Sequence, residues 1–233
     1  MKNRNHICRT VAAGVLAAFL MLRLTAFPIS AQAKIYRSVQ TDTMQIALTF
    51  DDGPHPYLTR EILDILDQYS VKATFFMVGV NVVNYPDMAR EVICRGHEVG
   101  NHTYSHDQLK NLGAEAVARE IGLCEDALEE LCEYRPHLFR PPQGGMSVLV
   151  EHFTDHHDYT TVLWSLDTRD WECKNTEEIV DSVLSRVSAG DIILMHDYIG
   201  HQSKTPEALA LLLPRLIERG FEPVTVSRLL GAG

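Results

Sequence analysis

The sequence lacks the paired cysteines that a zinc knuckle requires. Its five cysteines contain no C-x-x-C pair, which disfavours a cysteine-based metal site. Cys124 and Cys132 fall eight residues apart in one expected helix, roughly 12 Å from each other, which is too far for a disulfide. We expect buried thiols at the four cysteines that follow the N-terminal segment: Cys94, Cys124, Cys132 and Cys173.

Basic residues are scarce, and the chain has no internal repeat or low-complexity tract. From residue 34 onward, 17 Lys and Arg residues stand against 31 Asp and Glu residues, a formal charge of −14. Such an acidic chain is not expected to bind nucleic acid or an anionic membrane surface non-specifically. A neutral glycan is a compatible partner. The composition does not shift in the C-terminal half, so we expect a single domain after the N-terminal segment and no second one.

The apolar run near the N-terminus, Val11–Leu22, is shorter than the ~20 residues of a membrane span. Basic residues precede it and the small-residue pattern Ala31-Gln32-Ala33 follows it, which is typical of a secretory signal peptide. The alternative is an uncleaved membrane anchor from Val11 to about Ile29, although Arg23 interrupts that stretch.

These features predict three segments. We expect a signal peptide at 1–33, a short linker at 34–43 and a catalytic domain at 44–230. The protein is therefore expected to be secreted or associated with the cell envelope. The sequence does not predict its oligomeric state.

Hydrophobic periodicity indicates strands that alternate with helices. Seven strands are predicted, at Met44–Phe50, Lys72–Val78, His97–Thr103, His137–Arg140, Tyr159–Ser165, Asp191–His196 and Glu222–Val226. Six helices are predicted, at Tyr57–Tyr69, Asp87–Cys94, Ala114–Leu131, Ser147–Phe153, Thr176–Val187 (with Thr176 as N-cap) and Thr205–Arg219. This order predicts α/β architecture with parallel βα units and a barrel-like sheet.

Polar residues cluster where the predicted strands end. These residues are Asp51, Asp52, His102, His106, Arg140, Asp167–Trp171 and His196. Because chemistry in such barrels collects at the carboxyl ends of the strands, we expect these side chains on one rim.

His102 and His106 are spaced i, i+4, so one helical turn would bring both imidazoles to the same face. A carboxylate from another strand end, Asp51 or Asp52, would complete a two-histidine, one-carboxylate metal site. Side chains alternate along a strand, so one aspartate would ligate the metal while the other faces water. Arg140 is a candidate to keep that second aspartate ionised.

Five motifs in this order resemble those of the polysaccharide deacetylases, the NodB-homology family of carbohydrate esterases. They are TFDDGP (Thr49–Pro54), HTYSH (His102–His106), RPPQG (Arg140–Gly144), DTRDW (Asp167–Trp171) and LMH (Leu194–His196). The resemblance covers about residues 40–230. It implies a distorted (β/α)7 barrel and metal-dependent removal of acetyl groups from acetylated sugars.

The resemblance also implies a metal site. Asp52, His102 and His106 would ligate a divalent metal, most commonly Zn2+, with Co2+ or Ni2+ as alternatives.

The catalytic roles implied by the resemblance fall on four further residues. Asp51 would be the base that activates water, and Arg140 would hold it. His196 would be the acid that protonates the leaving amine, and Asp170 would pair with it.

The remaining implied residues contact the acetyl group. The backbone N–H of Gln143 would help bind the oxyanion, while Trp171 and Leu194 would line the pocket for the acetyl methyl. The family usually carries a tyrosine where Gln143 stands, so the substrate preference of this chain remains open.

The sequence therefore predicts a metal-dependent hydrolase that removes N-acetyl groups from a polysaccharide, with peptidoglycan as the first expectation. Chitin, poly-N-acetylglucosamine and acetylated xylan are alternative substrates. An inactive sugar-binding module and a hydrolase of small cyclic amides are the alternatives from other functional classes.

Overall fold

The computed structural model describes residues 34–172, 175–198 and 203–231. The predicted signal peptide at 1–33 and the residue Cys173 lie outside these ranges. Among the helices of the described residues, none has both the length and the apolar character needed to cross a membrane. The predicted linker at 34–43 is partly structured, because Ile35–Tyr36 forms the first strand.

The described strands form a single parallel sheet. They are β1 (Ile35–Tyr36), β2 (Gln45–Asp51), β3 (Thr74–Met77), β4 (Glu98–Asn101), β5 (Leu138–Phe139), β6 (Thr160–Val162), β7 (Leu166–Asp167), β8 (Ile192–His196) and β9 (Glu222–Val224). Their spatial order is β1-β6-β5-β4-β3-β2-β8-β7, and β9 pairs with the beginning of β2. The predicted α/β architecture is confirmed. The prediction of seven strands missed β1 and β7, each of which has only two residues.

Helices occupy most of the connections between strands. They are α1 (Leu58–Gln68), α2 (Gly79–Asn84), α3 (Pro86–Cys94), α4 (Ala114–Cys132), α5 (Val148–His156), α6 (Thr176–Leu184), α7 (Thr205–Glu218) and α8 (Val226–Leu229). All six predicted helices are present within a few residues of their predicted bounds.

Two local predictions are wrong. Asn175, not Thr176, is the N-cap of α6, because the Asn175 side chain accepts a hydrogen bond from the Glu178 N–H. Cys94 is exposed rather than buried, since it ends α3 away from the buried face formed by Met88, Ala89 and Val92. Cys124 and Cys132 are buried free thiols, as predicted.

The sheet curls into a nearly closed barrel. In a flat sheet, six strand spacings of ~4.8 Å would separate β6 from β7 by roughly 29 Å. Residues 163–165 alone join these strands, and four Cα steps span at most about 14 Å. An antiparallel bridge between Ser38 and Asp191 also joins the two sides of the seam. The chain connection therefore confirms the distorted barrel.

Alternate side chains along the strands face either the main hydrophobic cluster or the interior of the barrel. On β2, Ile46, Leu48 and Phe50 pack in the main hydrophobic cluster with residues of the surrounding helices, and Ala47 belongs to a second cluster. Thr49 and Asp51 share the face of Ala47. The period of two also places Leu194 and His196 of β8 on one face, because Ile193 and Met195 belong to the main cluster. The interior of the barrel thus receives polar groups at the carboxyl ends of its strands.

Candidate active site

Three ligand-type side chains converge at the carboxyl edge of the sheet. Asp52 follows β2, while His102 and His106 follow β4. The Asp52 Oδ1 atom lies 3.1 Å from His106 Nε2 and 3.4 Å from His102 Nε2. One ligand atom from each residue falls within 4.8 Å of the other two, so all three face one point.

Their local conformations differ from the predicted ones. His102 and His106 lie in a loop rather than in a helical turn, and Thr103 and His106 have φ values of 67° and 64°. Asp52 has a φ of 77°, which turns the chain out of the strand. The alternation expected for Asp51 and Asp52 therefore does not hold, and both carboxylates approach His102.

Hydrogen bonds fix the two histidines. His102 is buried, and its Nδ1 lies 2.7 Å from the Arg140 carbonyl oxygen. A proton on Nδ1 donates to that carbonyl and leaves Nε2 free to ligate. The buried Glu120 carboxylate accepts hydrogen bonds from the N–H and the hydroxyl of Ser105, both at 2.9 Å, next to His106.

This donor set fits a divalent metal. The Asp52 Oδ1 atom is buried and makes no hydrogen bond within the described part of the chain, although two imidazole nitrogens lie beside it. Burial alone would raise the pKa of Asp52, but His102 and His106 outweigh it and hold that pKa well below its usual range. An ionised carboxylate with two imidazoles is a common set for a catalytic zinc, which keeps an open position.

Asp51 forms a buried ion pair with Arg140. The Arg140 Nη1 atom donates to Asp51 Oδ1 at 2.6 Å, and both side chains are almost fully buried. The guanidinium also donates to the Thr49 hydroxyl and to the carbonyls of Val162 and Leu163, at 2.9 to 3.2 Å. Arg140 therefore connects the ends of β2, β5 and β6 while holding the Asp51 carboxylate.

His196, at the end of β8, pairs with Asp170. The His196 Nδ1 and Asp170 Oδ1 atoms are 2.7 Å apart, and the His196 N–H donates to Asp170 Oδ2 at 2.7 Å. The Thr205 hydroxyl also donates to Asp170 Oδ2. Burial opposes protonation of His196, but the hydrogen bond and charge of Asp170, with Asp51 and Asp52, raise its pKa to about 9.

These groups surround a cavity of about 530 Å³. Its lining consists of Asp51, Asp52, His102, His106, Gln143, Trp164, Asp167, Trp171, Leu194 and His196. Trp171 is 53% exposed, so it belongs to the rim rather than the core. Gln143 has a φ of 56°, and its side chain accepts a hydrogen bond from Gln108.

Sequence reasoning missed two residues at the site. Trp164 belongs to the predicted strand Tyr159–Ser165 and was given no role, yet it lines the cavity. The Arg140 guanidinium lies 5.7 Å from its ring centroid. Asp197 is buried beneath the turn that follows Asp52. Its Oδ2 accepts a 2.5 Å hydrogen bond from Thr59, and a Cβ on Gly53 would meet that oxygen at 2.0 Å. No local sequence pattern signals this contact, because Gly53 and Asp197 lie 144 positions apart along the chain.

Replacement of Arg140 tests how far the fold depends on this ion pair. We expect Arg140→Met to lower the free energy of unfolding by about 3–5 kcal/mol, because it leaves the Asp51 carboxylate buried without a partner. Adding Asp51→Asn should recover part of the loss, since the uncompensated charge is then removed. Urea denaturation of the metal-free proteins measures both effects.

The matched control is Arg60→Met, which removes the exposed ion pair with Glu91. It should leave the denaturation midpoint nearly unchanged. An Arg140→Met protein as stable as the wild type would contradict the structural role of the pair.

Comparison with known proteins agrees with this geometry. The family model described as polysaccharide deacetylase matches residues 38–162. A peptidoglycan-N-acetylglucosamine deacetylase of Bacillus cereus is 42% identical over 79% of this chain and 87% of that protein. A chitooligosaccharide deacetylase of a Bradyrhizobium species is 35% identical over 84% of this chain and 94% of that protein.

A solved structure of a deacetylase also has a similar fold. The crystal structure of a peptidoglycan N-acetylglucosamine deacetylase in complex with a naphthalenyl N-oxidanyl-benzamide superposes with a TM-score of 0.82 at 33% identity. The superposition covers 84% of this chain and 92% of that one. The chain belongs to the polysaccharide deacetylase family.

Proposed function

We propose that this protein is a metal-dependent N-deacetylase of peptidoglycan. One observation carries the proposal: the Asp52, His102 and His106 cluster shares one cavity with Asp51 and His196. A metal site, a carboxylate base and an imidazole acid are the parts that amide hydrolysis requires.

Asp52, His102 and His106 would hold the metal, and Zn2+ is the ion that we propose, ahead of Co2+ and Ni2+. A divalent metal bound there lowers the pKa of water toward ~7 and polarises the acetyl carbonyl. The Arg140 carbonyl orients His102, and Glu120 holds Ser105, the residue that precedes His106.

Asp51 is the proposed general base. Its Oδ1 is occupied by Arg140, while its Oδ2 lies 3.7 Å from His102 Nε2, on the side of the metal ligands. The guanidinium holds the carboxylate in position, so Asp51 is placed to take a proton from the attacking water.

His196 is the proposed general acid. An amide nitrogen leaves poorly unless it is protonated, and a histidine with a raised pKa carries the required proton at neutral pH. Asp170 anchors Nδ1, so Nε2 is the atom that delivers the proton.

The other cavity residues position the acetyl group. The N–H of Gln143 is proposed to donate to the oxyanion, an interaction typically worth ~3 kcal/mol. Trp171 and Leu194 line the same cavity and offer the apolar surface that the methyl group needs.

Peptidoglycan is favoured as the polymer because a Bacillus cereus relative and a solved neighbour, both named as peptidoglycan deacetylases, match most of this chain. A secretory signal at 1–33 would deliver the enzyme to the cell envelope. Chitin oligomers are the second candidate, since the Bradyrhizobium relative is named a chitooligosaccharide deacetylase.

Acetate release tests the proposal. We expect the purified protein to release acetate from peptidoglycan, to stop when a chelator removes the metal, and to resume when Zn2+ is added. Chitin oligomers assayed in parallel should release less. No acetate from any glycan by protein with bound metal would overturn the proposal in favour of a binding module or a small-amide hydrolase.

Two aspartate variants separate the proposed base from the proposed ligand. Asp51→Asn should retain the metal and lose on the order of 10²–10⁴ in rate, because only the base is removed. Asp52→Ala should lose the metal itself. Elemental analysis and acetate release on the folded fraction measure both, with Asp87→Asn, an exposed carboxylate on α3, as control. Full metal occupancy in Asp52→Ala would refute its ligand role.

The pH dependence tests the proposed acid. His196 must be protonated to act, so kcat/KM should fall as the pH rises through its pKa. Asp170 raises that pKa, and Asp170→Asn should therefore move the alkaline limb to lower pH by about 1–3 units. Asp181→Asn on α6 removes an exposed carboxylate and should leave the limb in place. An unmoved limb in Asp170→Asn would show that His196 is not the group that titrates.

A further inference from the structure

A second cavity of about 350 Å³ adjoins the active site. It shares Asp52 and His106 with the first cavity and continues past Val80, Asn81 and Tyr198. The two cavities thus meet at the metal ligands. A glycan with one acetyl group in the first cavity would therefore have the second cavity beside it.

Aromatic rings cluster around Tyr198, which lines this second cavity. The Tyr198 ring stacks on His55 with centroids 4.8 Å apart and planes only 8° from parallel. The rings of Tyr57 and Tyr85 lie 5.9 and 6.2 Å from His55. Tyr57 is 73% exposed and Tyr85 is 38% exposed, so the cluster offers aromatic surface to a ligand. We call these four residues the aromatic cluster.

Hydrogen bonds hold His55 and the cavity wall in place. His55 Nδ1 accepts hydrogen bonds from the N–H groups of Tyr57 and Leu58 at the start of α1. The Asn81 side chain donates to the Asp52 carbonyl at 2.7 Å, which ties the cavity wall to the turn at Asp52. The His55 ring, which is already fixed and stacks on Tyr198, loses little conformational freedom when a ligand binds.

The chemistry of the cavity suits an uncharged sugar ring. Apart from the two shared metal ligands, its lining is uncharged: Val78, Val80, Asn81, Ser105 and Tyr198. A tyrosine combines an apolar ring face with a hydrogen-bonding hydroxyl, which matches the C–H face and the hydroxyl groups of a pyranose. We propose that this cavity and the aromatic cluster bind the sugar adjacent to the one being deacetylated. The proposal rests on the proposed polysaccharide deacetylase function.

The test measures how activity depends on substrate length. We would determine kcat/KM for N-acetylglucosamine oligomers of one to six sugars with the wild type, Tyr198→Ala and Tyr85→Ala. Each alanine variant should lose about three- to tenfold on the longer oligomers, with no comparable loss on the shortest active substrate. Tyr198→Phe and Tyr85→Phe should restore most of the length dependence, since they keep the ring.

Binding supplies a readout that does not need turnover. In the Asp51→Asn background, calorimetry with the hexamer should show affinity weakened three- to tenfold by Tyr198→Ala. Tyr69→Ala is the matched control, because the Tyr69 residue is as exposed as Tyr85 but lies at the far end of α1. It should change neither length dependence nor affinity.

The outcomes distinguish the subsite from the proposed function. A wild type that releases no acetate but binds the hexamer through Tyr198 would defeat the deacetylase proposal and leave the subsite intact. Equal losses at every oligomer length would show that the tyrosines support the metal-ligand turn instead of a sugar. Unchanged kinetics and affinity in both alanine variants would overturn the subsite.

Discussion

The ion pair between Arg140 and Asp51 is the interaction on which the site depends. The guanidinium side chain holds the Asp51 carboxylate, and the backbone carbonyl of the same residue orients His102. The same guanidinium binds the carbonyls of Val162 and Leu163 at the end of β6. One residue therefore fixes the relative positions of a proposed metal ligand, His102, and a carboxylate, Asp51, that come from different strands. Neither group can shift alone without breaking a buried hydrogen bond.

Two side chains of one cavity each have a buried partner of opposite charge. Arg140 forms an ion pair with Asp51, whereas Asp170 beside His196 favours an imidazole that carries its proton. Each partner is buried, so water screens neither effect strongly. The separation of proposed base and proposed acid thus follows from which strand end each partner occupies.

The sequence predicted the parts of the site that follow from strand period and strand direction. Asp51, Arg140 and His196 could be placed on one rim because parallel strands share a carboxyl edge. The shape of the His102–His106 loop could not be predicted, since its left-handed residues Thr103 and His106 carry no glycine signal. The two-residue strand β7 is too short to show a period. The role of Asp197 depends on a contact with Gly53, 144 positions away along the chain, which no local pattern encodes.

The three-residue connection between β6 and β7 has a mechanical consequence. Within the described sheet these two strands do not pair with each other, so the covalent connection, together with the Ser38–Asp191 bridge, limits the width of the seam. Trp164 lies in this connection and Asp167 ends β7, and both line the catalytic cavity. The proposed metal ligands Asp52, His102 and His106 follow β2 and β4, which are joined by hydrogen bonds through β3. One wall of the cavity is thus positioned by the covalent connection between β6 and β7, and another by the hydrogen bonds that join β2, β3 and β4.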